Sequence, residues 1–129
     1  MDKDALVDQF SKLASDVEKR AGPVALFMLV APDLETNDAW NVVVSAHGFD
    51  KKSRGKAVRE FSDWMRIAVD QSQWSRIART TVLRTDDPFV RGMNQAFHIE
   101  HSTVNLQSCN VFGMEISKAI VFESKRVAA

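Results

Sequence analysis

G-P-V-A-L-F-M-L-V-A-P, Gly22 to Pro32, is the stretch that decides the fold. Its centre, Val24 to Val30, is an unbroken apolar run. That length is short for a helix, and the Gly-Pro before it and Pro32 after it both interrupt helices. The run therefore reads as a β-strand. A strand wetted on one side alternates polar and apolar residues, so a continuous apolar run predicts a strand covered on both faces.

The reading extends outward from this strand. Upstream, Leu6, Phe10, Leu13, Ala14 and Val17 recur at helical spacing, which predicts a helix from about Asp4 to Arg20. Asp2 or Asp4 can cap its start, Lys19 and Arg20 suit the negative end of its dipole, and Gly22-Pro23 stops it. Downstream, the polar, acidic stretch Pro32 to Asp38 reads as a loop. A-W-N-V-V-V-S-A, Ala39 to Ala46, reads as a second strand with Trp40, Val42 and Val44 on one face. So short a connection predicts an antiparallel hairpin.

His47 to Lys56 reads as a basic, solvated loop, because Gly48 and Gly55 are not in a phosphate-loop arrangement. A helix follows from about Lys56 to Asp70, with Val58, Phe61, Trp64, Met65 and Ala68 on its apolar face. Gln71 to Ser75 reads as a turn or short helix, and Ile77 to Thr85 as a third strand. Asp87-Pro88 starts the next helix, since Asp accepts from first-turn amides and proline suits the first helical position. Its apolar face is Phe89, Val90, Met93, Ala96 and Phe97. A fourth strand is expected from about Ser102 to Cys109, a turn at Asn110 to Gly113, and a last strand from Met114 to Ser124. In that last strand Met114, Ile116, Ile120 and Phe122 should share one face and Ala119 and Val121 the other. The sum is a single α+β domain over residues 1–129: a largely antiparallel sheet of about five strands with helices packed on it, in the order α-β-β-α-β-α-β-β.

A chain of 129 residues with 45% hydrophobic and 26% charged residues can form one ordinary globular core. The formal net charge of zero argues against a nucleic-acid partner and favours self-association. Cys109 is the only cysteine, so no intrachain disulfide forms and a reducing compartment fits. The N-terminus has no signal-peptide core, and the longest apolar run is too short to cross a bilayer. These features predict a cytoplasmic protein with no membrane partner.

The segments T-D-D-P-F-V-R, N-Q-A-F, E-H and C-N-V-F-G, in this order, resemble a family of small uncharacterised bacterial proteins of about this length. The resemblance runs from Val24 onward over most of the chain. It implies a complete bacterial protein and assigns no activity and no site residue.

Chemistry is most concentrated between Arg84 and His101. Asp86 and Asp87 are adjacent carboxylates, and His98, Glu100 and His101 follow. In a helical turn His98 and His101 share a face and form a weak metal-binding pair; in extended chain His98 and Glu100 point one way and Ile99 and His101 the other. A metal-dependent hydrolase or nuclease would draw its catalytic residues from Asp86, Asp87, His98, Glu100 and His101, with His47 as a remote donor. Helix capping by itself accounts for the two aspartates. Pro32-Asp33 and Asp50-Lys51-Lys52 loosely match a nuclease pattern but fall in loops. Cys109 has no clearly basic neighbour in sequence and reads as a buried structural thiol. No cofactor motif is present. The preferred expectation is a non-enzymatic binding or assembly domain that pairs with itself as a homodimer. Its motive is that some of three tryptophans and eight phenylalanines are left over for an interface.

Overall fold

The computed structural model describes residues 2–31, 39–111 and 114–127. The elements are α1 (Asp2–Ala21), β1 (Val24–Val30), β2 (Trp40–Ala46), a short 3-10 turn (His47–Phe49), α2 (Arg54–Ala68), α3 (Gln71–Trp74), β3 (Ile77–Val82), α4 (Pro88–Ala96), β4 (Val104–Val111) and β5 (Met114–Ser124). The strands form one five-stranded sheet in the order β3-β2-β1-β5-β4, so the apolar run of β1 is the central strand.

The pairings β1–β2, β1–β5 and β4–β5 are antiparallel, while β2–β3 is parallel. The sheet is therefore mixed, a correction to the antiparallel expectation. The reason is the connection: β2 reaches β3 through α2 and α3, and a helical crossover returns the chain in its original direction. The element order also gains α3, so it departs from the expected α-β-β-α-β-α-β-β. Helix α2 begins two residues early because the Ser53 side chain accepts from Lys56 N at 3.3 Å. Asp2 and Asp4, the expected caps, both lie within α1, and their side chains are outside the described residues. Strand β4 extends to Val111, past the expected end at Cys109. The remainder of the expected turn, Phe112 and Gly113, lies outside the described residues, as does the Pro32–Asp38 loop.

Two cores flank the sheet. On one face, Leu6, Phe10, Leu13 and Val17 of α1 and Phe61 and Met65 of α2 pack on Phe27, Leu29, Val42, Val44, Ile120 and Phe122. On the other, Val90 and Met93 of α4 pack on Leu26, Met28, Leu106, Ile116 and Val121. Val24 to Leu29 are all buried, as the two-sided reading of β1 requires. Strand β5 divides differently from the expectation: Ile120 and Phe122 face α1 and α2, but Ile116 joins Ala119 and Val121 in the second core. Ser108 of β4, at φ 52, breaks the regular pleat of the β4–β5 ribbon beside that end. The Met114 side chain lies outside the described residues.

The tryptophans are not spare surface. Trp40 is buried with Lys118 over its ring, Trp64 stacks on Phe49 at 5.6 Å beneath Arg20, and Trp74 lies under Arg66. Among the described residues Ile67, 79% exposed, is the one large hydrophobe in open solvent. Gly48 also has a packing role: a Cβ there would stand 2.7 Å from the Ala21 carbonyl oxygen, so the 3-10 turn can close on the end of α1 only with glycine.

Candidate functional site

Helix α4 ends at Ala96, and Phe97 is already extended (φ −140, ψ 132). The next residues lie along the end of β5. Ile99 N donates to Ser124 O at 2.8 Å, and Ser124 N returns a bond to Ile99 O at 2.9 Å. Ser124 Oγ donates to Phe97 O at 3.0 Å, and Asn94 Nδ2 donates to Ala25 O at 2.9 Å, which pins α4 to the sheet. His98-Ile99-Glu100-His101 is therefore extended where it pairs. His98 and Glu100 share a side, with Nε2 to Oε2 at 3.4 Å, and buried Ile99 points inward. The helical pairing of His98 with His101 does not form.

His101 turns instead toward Glu123. Its backbone sits at φ 52, left-handed and unusual for a residue with a side chain. Its amide donates to Glu123 Oε1 at 3.0 Å, and its Nδ1 lies 3.2 Å from the same oxygen. Its Nε2 lies 3.9 Å from Glu18 Oε2 on α1. Lys125 Nζ completes the cluster, 3.0 Å from Glu18, 3.6 Å from Glu100 and 3.7 Å from Glu123. Burial pulls the Lys125 ammonium down, but its bond to Glu18 and the charges of Glu123, Glu18 and Glu100 outweigh that and raise its pKa.

Glu123 is 4% exposed. Simple alternation would place it on the same face as Val121, in the second core. A bulge prevents this: Phe27 pairs with Glu123 and Met28 with Val121, so Phe122 is an extra residue on β5. The carboxylate then lines a cleft of about 120 Å³ with Ser11, Ala14 and Ser15 of α1 and with His101, Ser102 and Thr103. Its Oε2 is enclosed and makes no hydrogen bond.

The other expected site residues go elsewhere. Asp87 caps α4 by accepting from Phe89 N at 2.8 Å. Asp86 accepts from Arg84 Nε at 3.1 Å, and that bond holds its carboxyl below the usual value and the Arg84 guanidinium above its own. Among the described residues no hydrogen bond or ion pair joins either aspartate to His98, Glu100 or His101. Asp50 accepts from the Thr85 amide and hydroxyl, and Lys52 pairs with Glu60. The Pro32-Asp33 half of the nuclease pattern lies outside the described residues, as does the Cys109 side chain. His47 is in the 3-10 turn, its amide bound to Pro23 O. Sequence reading missed Glu18, Glu123 and Lys125. The signal for Glu123 was present, as a lone carboxylate directly after the apolar A-I-V-F run of the last strand.

A second concave region lies on the α4 side of the sheet. Helix α4 packs on β1 and β4 and leaves β2 and β3 without a helix above them among the described residues. The result is an open groove of about 410 Å³ with Val30, Val43, Leu83 and Ile116 on its apolar floor and Phe89 of α4 at its side. Asn41, Arg79, Thr81 and Asp87 supply its polar groups. No helix of the described chain is long and apolar enough to cross a membrane. Compared with protein-family models, curated proteins and solved structures, the chain matches none.

Proposed function

We propose that this chain is a non-enzymatic binding and assembly domain of a bacterial cytoplasmic protein, and that it pairs with a second copy of itself through the groove beside α4. The observation that carries the reading is the groove: half-buried Val30, Val43 and Leu83 form an apolar floor beside α4, with Phe89 of that helix on its wall. A twofold interface must be complementary to itself. Opposite charges support that reading: Arg79, which has no ion pair among the described residues, shares the groove with Asp87. The zero net charge adds no long-range repulsion between copies.

Sedimentation across the micromolar range tests it. The expected result is a mass that rises with concentration to twice that of the chain, and a Leu83→Glu variant that stays folded and monomeric. A wild-type chain that remains monomeric throughout overturns the reading. The second reading, a metal-dependent hydrolase or nuclease, draws its support from the histidine end of the expected cluster, where His101 meets two carboxylates.

A further inference from the structure

We propose that Glu18, His101 and Glu123 bind a single divalent first-row transition-metal ion, such as zinc or manganese. One donor atom from each residue lies within 4.8 Å of the other two. Ligands around one ion at usual bond lengths stand roughly 3 to 3.5 Å apart, so the three groups need only small side-chain movements to close on a cation. One imidazole and two carboxylates suit zinc, manganese or ferrous iron; magnesium favours oxygen alone, and a soft cation favours sulfur.

Two further observations point to a ligand. The first is the charge balance: Glu18, Glu100 and Glu123 surround one ammonium, Lys125, so the cluster carries more formal negative charge than its lysine offsets. The second is Glu123, whose enclosed Oε2 makes no hydrogen bond, with Lys125 no nearer than 3.7 Å. A buried carboxylate oxygen without a hydrogen bond is costly to keep, and an ion closer than the Lys125 ammonium would relieve that cost. The adjoining cleft, with Ser11, Ser15, Ser102 and Thr103, leaves room on the solvent side for water to fill the remaining coordination positions. Each ring nitrogen of His101 faces a carboxylate, Nδ1 at 3.2 Å and Nε2 at 3.9 Å.

Lys125 competes for the same oxygens. Metal-stripped full-length chain is titrated with zinc and, separately, manganese by calorimetry, with bound metal counted after dialysis. The expected result is one ion per chain. His101→Ala and Glu18→Gln should each weaken binding at least tenfold, Lys125→Met should tighten it, and His98→Ala should leave it unchanged. His101 is exposed, so its variant keeps the fold, and circular dichroism verifies that. A wild-type chain that takes up neither metal, or a folded His101→Ala chain that binds as well as wild type, overturns the proposal and leaves an ion-pair network that fastens α1 to β5.

Discussion

The face of the sheet under α1 and α2 and the face under α4 share one central strand but end differently. On the first, Phe27 is ringed by Phe10, Phe61 and Phe122, with centroids 6.4, 5.8 and 5.6 Å away, and two helices close over the top. On the second, one nine-residue helix covers part of the sheet, and Val30, Val43 and Leu83 are only half buried. The first face should therefore carry most of the stability. The second leaves part of its apolar surface half exposed. The charged cluster belongs to neither interior. It sits where the chain leaving α4 runs along the end of β5 and meets α1.

Two truncations test that division directly. Phe27→Ala removes the centre of the aromatic cluster, where no neighbour can collapse inward without breaking its own packing. It should cost about 3–5 kcal/mol in urea unfolding. Met93→Ala removes the fully buried anchor of α4. Because that side is more open and alanine favours helix, the cost should fall near 2 kcal/mol, the low end for such a change. Equal losses would mean that both faces carry the fold alike.

How far the sequence revealed this arrangement differs between the two faces. The burial of β1 on both sides was legible, because nothing polar interrupts Val24 to Val30. So was the start of α4, where Asp87 caps and Pro88 follows. The parallel β2–β3 pair was not, since it depends on which way the α2–α3 crossover returns, and no local pattern encodes that. The site was half legible. His98, Glu100 and His101 are neighbours in sequence, but Glu123 reaches His101 across 22 residues. It does so only because a bulge at Phe122 turns it from the face that alternation assigns. Asp86 and Asp87 drew attention as a pair, yet each has a local partner that accounts for it.

The cluster contributes in its own pH window. The folded-state pKa of Lys125 is raised above its ordinary 10.5, so its ion pairs stabilise fully below that value and are lost as pH rises through the raised one. Lys125→Met should thus be less stable than wild type near neutrality, where it leaves three carboxylates without their ammonium. The gap should narrow in strongly alkaline buffer, where wild type loses the same charge. Urea midpoints of the two chains across that range measure it; a gap that stays constant would show that Lys125 acts through its packed stem and not its charge.

The smallest expected effect lies on a single strand. Val43 and Val44 are adjacent in β2 and point to opposite faces, Val44 fully buried toward α1 and α2, Val43 half buried in the groove. Threonine keeps the β-branched shape and the strand preference and adds one hydroxyl. At Val44 the hydroxyl enters an apolar core, at a cost on the order of 1–3 kcal/mol. At Val43 it reaches water in the free chain, and the monomer should lose less than about 0.5 kcal/mol, as at a surface position. Pairing of two copies, by contrast, should weaken in the Val43→Thr chain, because association would then bury that hydroxyl. If Val43→Thr destabilises the fold as much as Val44→Thr does, the groove is closed core, and neither face of the sheet is free for a partner.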